Sequence, residues 1–146
     1  MTTDPTTVRD SLGRQSFMQL LGAEATVVEP GHVVIEVPFR ADLCQQHGFL
    51  HAGVLTSVAD SACGYAALSL MPAGSDVLSV EFKVNLLAPG RGRLFRADAR
   101  VVRSGRTLTV CQAEVVAVGE EAAESNVPVA LMQATMIARP PGPGVT

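Results

Sequence analysis

The segment from Leu43 to Ser75 constrains the fold of this chain most strongly, because its only Asp, Glu, Lys or Arg is Asp60. Small and apolar residues surround that acid on both sides. Removing a carboxylate from water costs several kcal/mol unless a hydrogen-bonding partner or a chemical task compensates for it. We therefore expect Asp60 to have a specific role within a segment that is otherwise buried.

The run from Ala52 to about Leu70 predicts a long helix. No proline interrupts it, and its small or polar residues recur at helical spacing to form one stripe: Gly53, Thr56, Ser57, Asp60, Ser61 and Gly64. The rest of the perimeter is apolar, so most of the helix surface should be buried. Such a helix has to be wrapped by other elements.

Alternating apolar residues predict strands that supply this wrapper. Ahead of the helix, Glu24–Glu29 and His32–Phe39 flank Pro30-Gly31 and are typical of a hairpin. After the helix, further strands are predicted over 77–87, 94–103, 107–117 and 129–138. The order indicates an α+β domain in which an antiparallel sheet wraps around a long central helix. A single helix protects only one face of such a sheet, so self-association is expected.

The alternation also predicts which strand residues face the helix. In the first strand after the helix the inward set is Leu78, Val80, Phe82, Val84 and Leu86, with Ser79, Glu81, Lys83 and Asn85 on the opposite face. In the second and last strands the inward sets are Phe95, Ala97, Ala99 and Val101, and Ala130, Met132, Ala134 and Met136.

The two ends of the chain are predicted to lie outside this domain, which spans 15–140. Residues 1–14 are expected to be a frayed arm and the start of a helix over Val8–Leu21, which Gly22 can end. Gly119–Asn126 is expected to be an acidic loop, and the Pro/Gly-rich tail, 141–146, cannot extend any element.

Composition argues against several classes of protein. A net charge of −3 and a pI near 5.5 give no support to nucleic-acid binding. Three cysteines without a CxxC pair, Cys44, Cys63 and Cys111, fit a reducing cytoplasm better than a disulfide framework or a thiolate zinc site. Cys44, His47 and His51 are spaced like metal ligands, but no further ligand is evident and we expect no metal.

Membrane insertion and secretion are not expected either. The N-terminus lacks the basic and apolar regions of a secretory signal. The run Phe49–Met71 is long enough to span a bilayer, but its Ala, Gly and Ser make it weakly apolar, and Asp60 lies at its middle.

The start of the helix and Asp60 carry complementary chemistry. If the helix begins after His51, the backbone N–H groups of Ala52 and Gly53 are unpaired donors that can hold a developing oxyanion. A carboxylate can attack a carbonyl or deprotonate water. The eight residues from Ala52 to Asp60 span about 12 Å along one helix, so one carbonyl cannot touch both. A site that uses both requires a second, antiparallel copy of the helix at a dimer interface.

The residues around His51 resemble a motif of the PaaI-type hotdog thioesterases, Asn-x-x-Gly-x-x-His-Gly-Gly followed by Asp nine residues after the His. This chain has Gln45-Gln-His-Gly-Phe-Leu-His-Ala-Gly53, with Asp60 at the matching position. The likeness covers roughly residues 15–140, because Val77–Pro89 and Gly105-Arg-Thr-Leu are similar to the family's following strands. The resemblance implies a hotdog fold that hydrolyses acyl-CoA thioesters, including aryl esters of the phenylacetyl type, as a homodimer or a tetramer of paired dimers. Coenzyme A (CoA) is then part of the substrate, and no cofactor is implied.

The resemblance also implies roles for individual residues. Asp60 matches the family's nucleophile or general base, and Ala52 matches the position whose backbone N–H polarises the carbonyl. Ser79 is similar to the hydroxyl residue that orients water beside the acid. Two positions depart from the pattern: Gln45 replaces an Asn and puts the amide on a longer arm, and Ala52 replaces a Gly and adds a methyl group near the carbonyl.

Some of these residues have competing structural interpretations. Asp60 can be a structural acid that is satisfied by Ser57, Thr56 or a backbone amide. His51 is a proton donor of the site or, in the structural interpretation, a residue that packs against or hydrogen-bonds the loop.

Cations are expected where the CoA phosphates bind. Arg91 and Arg93 lie at one turn and Arg103 and Arg106 at another, and guanidinium groups suit phosphate contacts. We assign Arg91, Arg103 and Arg106 to the CoA arm, with solvated turns as the structural alternative.

Two other functions stay open on the same scaffold. A hotdog hydratase or dehydratase would need an acid and a His over the α and β carbons of the acyl group, and no such pair is evident. A non-catalytic acyl-CoA binding protein is made credible by the departures at Gln45 and Ala52.

Overall fold

The structure is a computed structural model that describes residues 1–121 and 126–140. Its helices are α1 (Pro5–Arg14), α2 (Ser16–Leu21) and α3 (Ala52–Leu68), with a 3₁₀ turn at Ala41–Leu43. Its strands are β1 (Glu24–Glu29), β2 (His32–Pro38), β3 (Asp76–Leu86), β4 (Leu94–Ser104), β5 (Leu108–Val118) and β6 (Val127–Arg139). Of the predicted loop at 119–126, residues 122–125 lie outside the described residues, as does the predicted tail at 141–146.

The six strands form one antiparallel sheet in the order β1-β2-β4-β5-β6-β3. Helix α3 packs against five of them, β2 to β6, so the sheet wraps around it. The predicted α+β architecture, the hairpin at Pro30-Gly31 and the long central helix are confirmed. Strands β1 and β3 are the two edges of the sheet, and each therefore has one side without a strand partner among the residues that the structure describes.

Alanine dominates the surface of the sheet that meets α3. The inward residues of β4, β5 and β6 are almost completely buried, and eleven of them are Phe95, Ala97, Ala99, Cys111, Ala113, Val115, Ala117, Ala130, Met132, Ala134 and Met136. Small side chains on the strands let the helix lie close to the sheet, where packing is dense. The predicted inward faces of β4 and β6 are confirmed, except that Val101 is only half-buried beside a bulge near the end of β4.

The predicted buried face of β3 is wrong. The alternation put Leu78, Val80, Phe82, Val84 and Leu86 inward, but only Val84 is half-buried and the other four are exposed. One cause is position, since β3 is an edge strand and pairs with β6 alone within the described part of the chain. The other is a bulge between Ser79 and Glu81, which inserts one residue and reverses the two faces. Ahead of the bulge, Ser79 pairs with the buried Met136 and therefore faces α3.

The N-terminal region is also more ordered than predicted. The expected single helix is broken at Gln15, whose extended backbone separates α1 from α2, and Gly22 ends α2 in the left-handed conformation as predicted. The break gives each helix its own buried side, so Val8, Leu12, Met18 and Leu21 are buried, whereas Phe17 and Leu20 are exposed.

The first residues are not a frayed arm. The backbone N–H and the hydroxyl of Thr3 both donate to the carbonyl oxygen of Met71, just beyond the end of α3. Asp4 caps α1 by accepting hydrogen bonds from the backbone of Thr6 and Thr7, and the hydrogen bonds from Thr7 lower its pKa. Among the described residues, no helix is long and apolar enough to span a bilayer.

Candidate active site

Asp60 is held from one side by a serine. It lies half-buried on the stripe of α3 that the sequence predicts, and the hydroxyl of Ser79 donates to its Oδ1 at 2.6 Å. The bulge in β3 makes this contact possible, because it turns Ser79 towards the helix. Within the part of the chain that the structure describes, no hydrogen bond reaches Oδ2. The predicted structural partner Ser57 donates instead to the carbonyl of Gly53, so Asp60 keeps one oxygen for another group.

A cavity of about 200 Å³ opens at Asp60 between α1, α3 and β3. Its other lining residues include Ser11, Gln15, Ser61 and Tyr65, which sequence reasoning did not assign to the site. Ser61 and Tyr65 are four residues apart and therefore share one face of α3, next to Asp60 in the chain, and that spacing was a usable signal. No sequence signal indicated Ser11 and Gln15, since only the break between α1 and α2 brings them to this cavity.

The start of α3 offers one free backbone donor, where the sequence predicted two. His51 is the cap of the helix, and its Nδ1 accepts a hydrogen bond from the N–H of Gly53 at 2.8 Å. This contact uses Nδ1 as an acceptor and leaves Nε2 as the ring nitrogen that can donate a hydrogen bond. The prediction that Gly53 also contributes a free N–H is wrong, because the imidazole cap uses it. No group in the described residues accepts from the N–H of Ala52.

Gln45 lies beside this donor. Its Oε1 accepts hydrogen bonds from the backbone N–H groups of His47 at 2.5 Å and Phe49 at 3.3 Å. The carbonyl end of the side chain is therefore fixed by its own loop, whereas Nε2 makes no hydrogen bond to any described residue. Gln45 and Ala52 share a second cavity of about 430 Å³ with Leu55, Leu86 and neighbouring apolar residues.

Gly90 lines this second cavity at a point where two loops come into close contact. The N–H of Leu50 donates to the carbonyl of Gly90 at 2.9 Å, which ties the loop before α3 to the loop after β3. A Cβ at position 90 would lie 2.9 Å from the carbonyl oxygen of Leu50. The two loops can therefore approach this closely only because residue 90 lacks a side chain.

The structure brings the predicted site residues together in two groups rather than one. Asp60 and Ser79 line the first cavity, Gln45 and Ala52 line the second, and no described residue lines both. This separation follows from the length of helix between Ala52 and Asp60, which is about 12 Å.

The arginines assigned to CoA are also divided. The guanidinium group of Arg91 lies 5.2 Å from the centre of the Phe49 ring, at the edge of the second cavity. Arg103 and Arg106 are exposed around the turn at the other end of β4. Because β4 has 11 residues, about 35 Å separates the two ends. One CoA molecule cannot reach both groups within a single protomer.

An antiparallel sheet wrapped around one long helix is the hotdog fold. The chain belongs to the thioesterase superfamily, whose family model matches residues 47–124. It is an enzyme that hydrolyses thioesters, and the predicted resemblance to PaaI-type hotdog thioesterases is confirmed.

Individual relatives agree with this placement. A thioesterase family protein from Silicibacter pomeroyi is 49% identical, and its structure superposes with a TM-score of 0.86 over 90% of this chain and 94% of that one. A Listeria monocytogenes protein named 1,4-dihydroxy-2-naphthoyl-CoA hydrolase is 26% identical over 99 residues, which are 68% of this chain and 80% of that protein. The Escherichia coli PaaI protein, at 23% identity, shares the fold with a TM-score of 0.77 over 89% of this chain and 88% of its own.

Proposed function

We propose that this protein hydrolyses an acyl-CoA thioester to the free acid and CoA in a site shared by two protomers. The N–H of Ala52 and the Nε2 of Gln45 in one protomer bind the thioester carbonyl, and Asp60 of the other protomer acts on its carbon. The observation that carries this proposal is that the acid and the free donors lie in separate cavities of one chain.

Strand β3 shows how a second copy can unite the two cavities. Asp76, Val77 and Ser79 at its start line the Asp60 cavity, and Leu86 at its end lines the Ala52 cavity. If the free edge of β3 pairs with its own copy across a two-fold axis, the start of one strand lies beside the end of the other. This arrangement sets each Asp60 cavity next to the Ala52 cavity of the other protomer.

The surface of β3 supports such pairing. Leu78, Val80, Phe82 and Leu86 are exposed, and an unpaired edge with an apolar surface favours association. The stripe of small residues on α3 lets a second α3 approach closely. We infer a homodimer as the active unit, and a tetramer if two dimers pair.

The proposed reaction uses the two groups as follows. Ala52 and Gln45 stabilise the negative charge that develops on the carbonyl oxygen. Asp60 either removes a proton from water, which adds to the carbon, or attacks directly to form an anhydride that water then hydrolyses. In both routes the C–S bond breaks and CoA leaves as the thiol. The Ser79 hydroxyl on Oδ1 directs Oδ2 towards the substrate.

The CoA arm and the cellular location belong to the same proposal. Arg91 lies beside the Ala52 cavity, where it can bind a CoA phosphate. Arg103 and Arg106 lie too far from that cavity and would contact CoA bound elsewhere in the assembly. The acyl group includes aryl groups of the phenylacetyl type, and CoA enters as substrate with no separate cofactor. Three free cysteines, Cys44, Cys63 and Cys111, support a cytoplasmic location.

Thiol release from a panel of acyl-CoA and aryl-CoA esters tests the role of Asp60. We expect Asp60→Asn to lower kcat by at least about 100-fold, because it removes both a base and a nucleophile, while the exposed Asp10→Asn variant keeps wild-type turnover. Wild-type turnover in a folded Asp60→Asn protein would remove the acid from the mechanism.

Hydration of an enoyl-CoA with its thioester intact would favour the hydratase alternative, and binding of esters without thiol release would favour the binding protein.

A further inference from the structure

Glu81 and Lys83 are two opposite charges on β3, the edge strand that the proposed dimer pairs with its own copy. Both are exposed, and they lie opposite Thr135 and Gln133 on the outer face of the sheet, away from α3. Lys83 is the only lysine in the chain. Glu81 accepts a hydrogen bond from the Thr135 hydroxyl, but neither charge belongs to an ion pair within the described residues. The free edge of β3 therefore offers one anion and one cation, two residues apart, to a partner chain.

Strand symmetry limits how β3 can pair with a second β3. In an antiparallel pair, residues directly opposite each other point to the same face of the sheet. Side chains alternate between the faces, so after the bulge that ends at Glu81 a residue can lie opposite only a residue an even number of positions away. The two-fold axis of such a dimer therefore passes beside one residue and its own copy. The identity of that residue defines the register.

The charges favour one register. An axis at Phe82 sets Glu81 of each protomer opposite Lys83 of the other, which gives two contacts between opposite charges. An axis at Glu81 or at Lys83 sets that residue opposite its own copy, and like charges directly opposite each other destabilise a sheet. An axis at Val84 sets Lys83 opposite Asn85 and leaves both charges without a partner. The register with its axis at Phe82 is therefore the one that satisfies them.

The positions of the two cavities support the same register. The bulge adds one residue at the start of β3, so an axis at Phe82 sets Val77 opposite Leu86 of the other protomer. Val77 lines the Asp60 cavity and Leu86 lines the Ala52 cavity. Moving the axis by one residue slides the strands past each other by two residues, or about 7 Å. A displacement of that size exceeds the length of a hydrogen bond and would separate the acid from the carbonyl that it acts on.

We propose that Glu81 and Lys83 form reciprocal ion pairs across a two-fold axis at Phe82, and that these pairs set the register in which a second copy of this chain completes the site. The two are positioning residues, since they act on the reaction only by placing one protomer against the other. Each pair is exposed and contributes little by itself. Its effect comes from the repulsion that neighbouring registers would incur. This inference rests on the proposed function, because it names the contact that unites the two halves of that site.

Opposite charge reversals test the inference. Lys83→Glu alone and Glu81→Lys alone each place like charges opposite each other in a homodimer, and we expect dimerisation about tenfold weaker than in wild type at low salt. A heterodimer of the two variants regains both contacts between opposite charges. After co-refolding of equal amounts, about nine-tenths of the dimers should be heterodimers instead of the statistical half. The reversals change the net charge in opposite directions, so ion-exchange chromatography separates the three dimers.

A matched control carries the same reversals on strands away from the free edge. Arg100→Glu on β4 and Glu114→Lys on β5 change exposed side chains of the outer face, and their mixture should contain about one half heterodimers. In about 1 M salt, the excess of the heterodimer between the Glu81 and Lys83 variants should shrink towards one half, because salt screens exposed charges. A heterodimer fraction of one half at low salt would overturn the inference.

Turnover gives a second readout of positioning. We expect Lys83→Glu to release thiol more slowly than wild type. The doubly reversed chain, Glu81→Lys with Lys83→Glu, restores both contacts with the charges exchanged and should recover most of that loss. A folded double variant that does not recover would contradict the proposed register.

Assembly and catalysis can be separated by repeating the mixing experiment with Asp60→Asn on both chains. The excess of heterodimers should persist, because the ion pairs do not involve the acid. A statistical mixture would overturn the register even if Asp60 proves essential for turnover. Conversely, a preserved excess together with full turnover by Asp60→Asn would overturn the catalytic role of the acid alone.

Discussion

Asp60, the lone acid of the apolar segment, has a hydrogen-bond partner at one of its two carboxylate oxygens. Ser79 donates to that oxygen, and the other oxygen accepts no hydrogen bond from any described residue. A purely structural acid in a half-buried position would be expected to have both oxygens satisfied. At the residue scale, this one-sided hydrogen bonding supports the proposal that Asp60 takes part in the reaction.

Removing the Ser79 hydroxyl should impair the reaction without unfolding the protein. A hydrogen bond to a charged group contributes about 1.5–3 kcal/mol, so we expect Ser79→Ala to lower kcat by about 10- to 100-fold with a smaller change in KM. Ser79→Thr keeps the hydroxyl and should restore much of the rate. Steady-state thiol release measures both, and equal activity of the Ala and Thr variants would contradict the positioning role.

At the scale of elements, the sequence was informative wherever the pattern and the packing agree. Helix α3 and strands β2, β4, β5 and β6 follow from periodicity, because each has a face buried by its neighbours. The bulge in β3 could not be predicted, since one inserted residue leaves the alternation of apolar residues unchanged. The break at Gln15 was also missed, because no Pro marks it and the nearby Gly13 lies inside α1 rather than at its end.

The same distinction applies to the site. Asp60 stood out as the only charge in its segment, and Ala52 as a helix start, because both signals are local in the chain. The hydrogen bond from the Gly53 N–H to the His51 ring depends on the rotamer of His51, so the sequence pattern could not indicate it. Tyr65 and Gln15 meet through tertiary packing 50 residues apart in sequence, which no local spacing can indicate.

The contact between α3 and β5 should make the fold sensitive to alkali. The Cys111 thiol donates to the carbonyl of Cys63 at 3.5 Å. Burial raises the pKa of Cys111 from its ordinary value of 9.0 to about 11, and burial also raises the pKa of Cys63. Above pH 9 the unfolded chain releases thiol protons that the folded chain retains, so the free energy of unfolding should fall as the pH rises from 9 towards 11.

Urea unfolding at pH 8, 9.5 and 10.5 measures this effect. For each buried thiol the expected loss is up to about 1 kcal/mol per pH unit. Cys111→Ala should be less stable at every pH because it leaves a small cavity, but its stability should fall less steeply above pH 9. An identical slope for this variant and wild type would show that Cys111 does not carry the pH dependence.

At the scale of the whole molecule, the proposal is that neither protomer has a complete site. Asp60 and Ala52 are too far apart along one helix, and the free edge of β3 provides the direction in which a second copy can bring them together. A variant that disables the Asp60 half of the site and another that disables the Ala52 half should therefore each be inactive alone. A mixture of the two should be active.

Ala52→Pro is a specific way to remove the proposed donor. Proline lacks an N–H and is favoured at the first position of a helix, and the extended backbone of His51 is compatible with a following proline. Asp60→Asn and Ala52→Pro should each lose activity as homodimers. A mixed dimer contains one intact site, because its Asp60 and its Ala52 N–H come from different protomers.

Co-refolding equal amounts of the two variants should therefore restore about a quarter of wild-type activity, as half of the dimers are mixed and each has one of two sites. Mixing either variant with itself is the matched control. Activity that does not rise on mixing, or full activity in a dilute sample shown to be monomeric by light scattering, would contradict the shared site.

Tyr65 gives the protein an optical property that its composition makes unusually simple. The chain contains no tryptophan and one tyrosine, so ultraviolet emission excited beyond the absorption of phenylalanine comes from a single ring. That ring lines the cavity beside Asp60. A ligand that enters this cavity is therefore expected to change the intensity of this emission in the unlabelled, unmodified protein.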